Sequence, residues 1–311
     1  MICQLLICYG AKEQGLVVQA NKNALQEQLN AEGGSGWRAH LDLQFKYEVE
    51  RSYLAYRQHV GPLRVQRPFY PEGSSEACHV YLLHPPGGVV GGDALQINVD
   101  VEQAAHALIT TPAAGKFYRS AGSYAKQQQN LTVAQGAVLE WLPQENIVFS
   151  GAKVEMATRV ELAPQARFIG CDISCMGRVS SGKPFVAGKF NSRFEVWQQG
   201  RPLYIERTLF DSESEIMHAR WGMAGYSVVG SLLCTGEYPT LVEEVRAHVK
   251  HKVRLLDSNY LFTVTQHSGG LLCRYLGHYG EDAKACFAAA LECIRPKVLG
   301  REFHRPRIWD T

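Results

Sequence analysis

Apolar and polar residues alternate with period two along most of the chain from Trp37 to Leu209. In the clearest stretch, Leu95, Ile97, Val99 and Val101 interleave with Gln96, Asn98, Asp100 and Glu102. That pattern predicts a half-buried strand. Residues 41–45, 79–83, 129–133, 154–162, 190–197 and 203–209 repeat it with β-branched and aromatic residues, separated by turns rich in Gly, Pro and Ser such as Gln199-Gly200-Arg201-Pro202. The reading is mainly β, with stacked or sandwiched, largely antiparallel sheets. The period changes in the last third. Residues 240–249 place Leu241, Val242, Val245 and Val249 on one helical face, behind Pro239 and with Thr240 and Glu243 at capping-box spacing. A second, alanine-rich helix is predicted over 281–294, with Pro296 stopping it at Arg295. Residues 1–36 end in Gly33-Gly34-Ser35-Gly36 and read as a flexible tail, and 37–311 as a single β-rich domain with two helices in its C-terminal third.

Composition adds exclusions. The 311 residues are 46% hydrophobic, with 32 basic against 30 acidic residues and a net charge of +2, which gives no whole-chain argument for nucleic acid or an anionic membrane. No run of ~18 apolar residues marks a transmembrane helix. The apolar start Met1–Tyr9 lacks a basic flank and a cleavage site, so a cytoplasmic location is expected. Nine cysteines, an odd and scattered set, form no disulfide framework. Cys171 and Cys175 would share one strand face, as buried thiols or, alternatively, as a metal or redox pair.

Candidate chemistry concentrates in one loop. His84-Pro85-Pro86-Gly87-Gly88-Val89-Val90-Gly91-Gly92-Asp93 holds two prolines that fix φ and four glycines that permit positive φ and close approach. A phosphate cradle is one reading, but no Gly-Lys-Ser/Thr follows; a tight turn closed by Asp93 is the other. Glu206 is a carboxylate in the strand 203–209, opposite Ile205, and so belongs to a polar face that is either solvent-exposed or the wall of an enclosed wet passage. His248 and His251, at i and i+3, are weak metal-ligand candidates or an ordinary solvated helix face; no tight metal site is predicted. No Gly-x-Ser-x-Gly, His-Glu-x-x-His or Cys-x-x-Cys motif offers an enzyme site.

Four ordered motifs carry a resemblance. They are Gly61-Pro62-Leu63-Arg64-Val65-Gln66-Arg67-Pro68-Phe69-Tyr70-Pro71-Glu72-Gly73, the His84–Asp93 loop, Thr110-Thr111-Pro112-Ala113-Ala114-Gly115-Lys116-Phe117-Tyr118-Arg119-Ser120, and Leu139-Glu140-Trp141-Leu142-Pro143-Gln144-Glu145. In that order the chain resembles the urease accessory protein D family, called H in some bacteria, over nearly all of its length after residue 35. The resemblance implies a superhelical β arrangement and a non-enzymatic scaffold that binds apo-urease and the accessory proteins F and G, the latter a GTPase. It also implies Ni2+ in transit, with no cofactor held permanently. Asp93 and Glu206 become candidates for the nickel path. His84, Pro85, Pro86, Gly87, Gly88, Gly91, Gly92, Lys116, Tyr118, Arg119 and Glu145 become structural or interface positions. Gly115 departs from the small hydroxyl residue expected there. A stand-alone nickel carrier using His248 and His251, or an enzyme using the Asp93 loop, are the alternatives.

Overall fold

The computed structural model describes residues 36–73, 77–178, 181–254 and 259–310, so all but the last residue of the tail assigned to 1–36 lies outside the described residues. The chain opens with the hairpin β1 (Arg38–Glu48) and β2 (Arg51–Val60), then β3 (Arg64–Val65) and β4 (Cys78–Leu83). Next come β5 (Ala94–Val101), β6 (His106–Thr110), β7 (Gly115–Phe117), β8 (Ala125–Val133), β9 (Val138–Leu142) and β10 (Asn146–Val148). They are followed by β11 (Lys153–Leu162), β12 (Arg167–Arg178), β13 (Lys183–Pro184), β14 (Lys189–Gln198) and β15 (Arg201–Asp211). The last part holds β16 (Val228–Thr235), α1 (Leu241–Lys252), the hairpin β17 (Leu261–His267) and β18 (Gly270–Gly277), and α2 (Gly280–Leu299).

From β4 to β12 consecutive strands do not pair with each other. A short corner after β5, β8 and β11 carries the backbone from a seven-stranded sheet, ordered β15-β14-β11-β8-β5-β1-β2, into an eleven-stranded one whose spine is β17-β18-β16-β12-β9-β6-β4-β3. The three corners are copies of one turn: Ala105 N–H donates to Glu102 O, Ala137 to Ala134 O and Ala166 to Ala163 O, at 3.0, 3.1 and 3.2 Å. Each contains one residue in the left-handed region: Ala104 and Gln165 at φ 61°, Gly136 at 68°. The turns also stack, with Ala134 N–H on Val101 O and Ala163 N–H on Val133 O, both 2.9 Å. The result is the expected mainly β, superhelical stack with two helices in the C-terminal third.

One part of that expectation is corrected. The strands β1, β5, β8, β11 and β14 are parallel to one another, as are β4, β6, β9 and β12, and antiparallel pairing is confined to the ends and margins. Alternation reports which face of a strand is buried, not which way its neighbour runs. A parallel sheet usually shows continuous apolar strands because both faces are covered. Here the seven-stranded sheet keeps a polar outer face, where Asn98 Nδ2 donates to Asp42 Oδ1 (2.8 Å) and Asn130 Nδ2 to Asn98 Oδ1 (2.9 Å).

The eleven-stranded sheet is the middle layer of three. On β12, Phe168 and Met176 pack toward the other sheet, while Ile169, Cys171, Ile173 and Cys175 pack toward the helices. This explains why β12 is apolar almost throughout, and it settles both thiols as buried and free. The helices depart from the predicted ends. Thr240 has helical φ and ψ and makes no side-chain cap, because its hydroxyl cannot face the next turn's N–H groups from that conformation. The second helix runs through Pro296 to Leu299 and ends at left-handed Gly300, whose N–H donates to Pro296 O at 3.1 Å. Proline at the last turn removes one hydrogen bond, and the buried contacts of Arg295, Ile294 and Val298 hold the helix across it.

Candidate functional site

The glycine-rich loop folds as two turns joined by a bridge. Gly87 N–H donates to His84 O, Asp93 N–H donates to Val90 O, and between them Val89 pairs with Phe117. Gly87 (φ 76°) and Gly92 (φ 98°) take left-handed backbone, while Gly88 lies under the Tyr118 ring and Gly91 against Ser120, where a Cβ has no room. Pro85 and Pro86 occupy the two central positions of the first turn, where no donor is needed. Asp93 is buried, and its two carboxylate oxygens accept from Trp37 N–H (2.8 Å) and Val90 N–H (3.0 Å). It ties the loop to the start of β1. Nearby, burial lowers the His84 pKa, opposed by the Asp93 charge. Tyr118 stacks on Phe149 at 4.9 Å with Arg178 on the same ring at 5.1 Å, and Arg119 packs on Gly151. Glu145 pairs with Lys284 at 3.1 Å, against the first turn of α2.

Behind this loop lies a cavity of about 190 Å³ between the two sheets. His84, Gly87, Pro112, Gly115 and Lys116 stand at the loop side, Ile97, Phe117, Trp141 and Phe194 make its apolar walls, and Asp172 lies on its inner wall. Gln144 also lines it, buried, with its side-chain oxygen lacking a hydrogen-bond partner. A second void of about 20 Å³ follows, lined by Asp172, Glu206, Ser174, Ser192, Thr208 and Ser231. We call it the neck. A third, a cleft of about 830 Å³, is bounded by β15, β17 and β18 and includes Glu206 and Arg274. Asp172 thus belongs to the first and second voids and Glu206 to the second and third.

The neck is polar in the middle of a β sandwich. Burial and the neighbouring Glu206 charge push the Asp172 carboxyl up to about 6, against hydrogen bonds from Asn146 and Ser174 that pull it down. The donors are neutral: Asn146 Nδ2 approaches Asp172 Oδ1 at 3.3 Å. Glu206 accepts from Tyr204 Oη (2.6 Å) and Ser231 Oγ (2.9 Å) and pairs with Arg274 at 3.1 Å. On β15 the apolar-looking positions are the outer ones: Ile205 and Leu209 are 42% and 58% exposed, whereas Tyr204, Glu206 and Phe210 face inward. Glu206 therefore faces both the neck and the cleft, with its side chain 17% exposed. Around the cleft, Trp221 and Leu261 add exposed apolar surface at 72% and 58%.

His248 meets Glu292 of α2 at 3.2 Å, where Lys252 also binds at 2.9 Å. That contact ties the helices together. Among the described residues no group of three His, Cys, Asp or Glu side chains stands ready for a metal ion, and no helix is long and apolar enough to cross a membrane.

A second buried charge cluster sits between the sheets and α2. Arg295, fully buried, binds Glu140 (2.9 Å) and Glu72 (2.7 Å); His106 Nε2 lies 2.7 Å from Glu140 and His79 Nε2 2.8 Å from Glu72. Burial raises the Glu140 pKa, but the His106 hydrogen bond and the Arg295 charge outweigh it and hold the carboxyl at about 2. Neither this cluster nor Asp172 was singled out from the sequence, although each is a charge inside an apolar run, which is itself a signal.

The family model for the UreD urease accessory protein matches residues 37–310. The chain belongs to that family. It is 42% identical over 281 residues to "Urease accessory protein UreD" of Dechloromonas aromatica, covering 90% of this chain and 96% of that protein. It is 43% identical over 282 residues to the protein of that name in Aliivibrio fischeri strain MJ11, covering 89% and 97%. For the Trichormus variabilis protein the identity is 40% over 283 residues, covering 91% and 99%. The four motifs that carried the resemblance all fall inside the matched region, and each contributes to the wall of the first cavity, the Gly61 motif through Leu63.

Proposed function

We propose that this UreD-family protein is a cytoplasmic scaffold of urease maturation that binds apo-urease and the accessory proteins F and G and gives Ni2+ a protected passage toward the urease active site. It catalyses no reaction and keeps no metal. The observation that carries the reading is the series of three voids, with one carboxylate at each boundary: Asp172 before the neck and Glu206 after it. Two carboxylates with hydroxyl neighbours offer hard oxygen donors to a divalent cation, and a neck lined by no His or Cys keeps the hold weak enough for onward movement. Asp93 acts at the loop-side entrance by fixing the loop beside His84. The apolar rim of the cleft, with Trp221, Leu209 and Leu261, supports a protein-facing surface at the other end.

Urease activation in cells lacking their own D-type protein tests this. The wild-type chain should restore activity and capture apo-urease and the F and G proteins. Asp93→Ala and Glu206→Ala should capture the same partners while activation falls about tenfold or more, the size of losing one or two charge-assisted contacts. A wild-type chain that neither restores activity nor captures partners would overturn the proposal.

A further inference from the structure

Two short strands, β7 and β10, run parallel with the long β12 at the inner wall of the first cavity. In register across β7, β10 and β12 lie Gly115, Asn146 and Ser174. The row thus reads no side chain, carboxamide, hydroxyl. Asp172, two residues before Ser174, faces the same way and bounds the neck. The Asn146 carboxamide is buried and has two different ends: its nitrogen donates to Asp172 Oδ1 at 3.3 Å, and its oxygen reaches back over β7. A Cβ placed on Gly115 would meet that oxygen at 2.6 Å, and the next nearest atom is the same residue's Cγ at 3.7 Å. Gly115 is absent from the residues with left-handed backbone, so its φ is open to any residue. What glycine supplies at this position is room for the amide.

We propose that Gly115 and Asn146 act as one unit that aims the Asp172 carboxylate at the boundary between the first cavity and the neck, with Asn146 a positioning residue for cation passage. The inference rests on the interior passage proposed above. With a side chain at 115, the carboxamide must rotate or withdraw, and Asp172 loses one of its two neutral donors. The carboxylate then has Ser174 alone to orient it inside an apolar wall. Packing by itself makes a different forecast, because a purely structural Asn146 would affect the folded chain at any nickel level.

The test compares wild type, Gly115→Ala, Asn146→Ala, the double variant and Asp172→Asn, each coexpressed with apo-urease and the F and G proteins. Urease activation is read at limiting and at saturating nickel. Each single substitution should lower activation about ten- to a hundredfold at limiting nickel, the worth of one hydrogen bond to a charged group. Added nickel should recover most of it. The double variant should resemble Asn146→Ala, since the methyl at 115 has no carboxamide left to displace; this non-additivity is the signature of a shared contact. Losses that multiply, or that stay the same at saturating nickel, would overturn the pairing. If Asp172→Asn is impaired while the changes at 115 and 146 are silent, the passage stands and the positioning role falls. If Asp172→Asn also matches wild type, the passage itself has failed. Should Gly115→Ala not fold, partner capture decides: the double variant has space for the methyl and should recover capture, and no recovery counts against the unit.

Discussion

Two groups of inward-facing carboxylates lie in this molecule, and they are treated in opposite ways. Glu72 and Glu140, on the helix side, share one buried arginine that reaches both oxygens of each, and each has a histidine on Oε1 as well. Asp172, between the sheets, has only the neutral donors Asn146 and Ser174 and another acid, Glu206, nearby. Placing a carboxylate in an apolar interior without a cation is costly, and folding alone supplies no reason to retain it. The helix-side group behaves as a fixed clamp. It joins the loop at Glu72, strand β9, helix α2 and, through Arg295 and the Glu302 carbonyl, the C-terminal segment. In the neck Glu206 has Arg274, but Asp172 has no cationic partner among its interactions, which is what the proposed passage of a cation would use.

The largest effect should follow from breaking the clamp. Arg295→Met leaves two carboxylates buried against a side chain that cannot pair with them, and the chain should lose about 3–5 kcal/mol of stability in denaturant unfolding. A loss below about 1 kcal/mol would place the clamp with ordinary surface pairs. Asp172→Asn should move stability the other way. The folded state holds this carboxyl at about 6 against an ordinary 3.8, so it favours the protonated form. Its ionisation therefore costs stability, the cost growing as pH rises from about 4 to 6 and staying complete above. The amide should stabilise the chain by on the order of 3 kcal/mol at pH 8 and by almost nothing at pH 4. Glu140 has the opposite sign. Held at about 2 against 4.5, it contributes stability above pH 4.5 and loses it as pH falls toward 2. A pH series on wild type and Asp172→Asn separates the two: their difference should open between pH 4 and 6, while both should weaken together in acid. A difference that is flat with pH would break the comparison.

Much of the fold was legible because a period of two marks a half-buried strand whatever its partner. Strand direction was not, since Leu95, Ile97 and Val99 would alternate identically in an antiparallel hairpin. The corners after Val101, Val133 and Leu162 are the missing information, and they repeat in the sequence only as short alanine-containing turns. Glu206 was legible as a lone acid among apolar neighbours, though its inward face follows from β15 presenting Ile205 and Leu209 to solvent. Asp172 sits in a stretch where Cys171 and Cys175 offered the more familiar chemistry, yet both thiols are buried with the helix-side cluster, and of the two only Cys171 also borders the cavity that Asp172 lines. The clamp depends on a partner 155 positions away for Arg295 and Glu140, and the Gly115–Asn146–Ser174 row depends on register; neither distance nor register is encoded locally.

The smallest effect belongs at the cleft end of the neck, and it asks whether Glu206 belongs with the clamp or with Asp172. Glu206 has three partners: Ser231 and Tyr204 share one oxygen, and Arg274 takes the other. Ser231→Ala removes one neutral donor and leaves the charge partner in place, so unfolding should shift by about 1 kcal/mol. Partner capture should not change. The informative reading is the ratio to Arg295→Met. If the serine variant costs as much as losing Arg295, the Glu206 end is a second rigid clamp, and the contrast between a static helix-side group and a permissive neck is lost. If it costs a small fraction, Glu206 is held by redundant contacts that can be exchanged one at a time, which is what a carboxylate at a passage needs in order to meet a cation without the sheet coming apart.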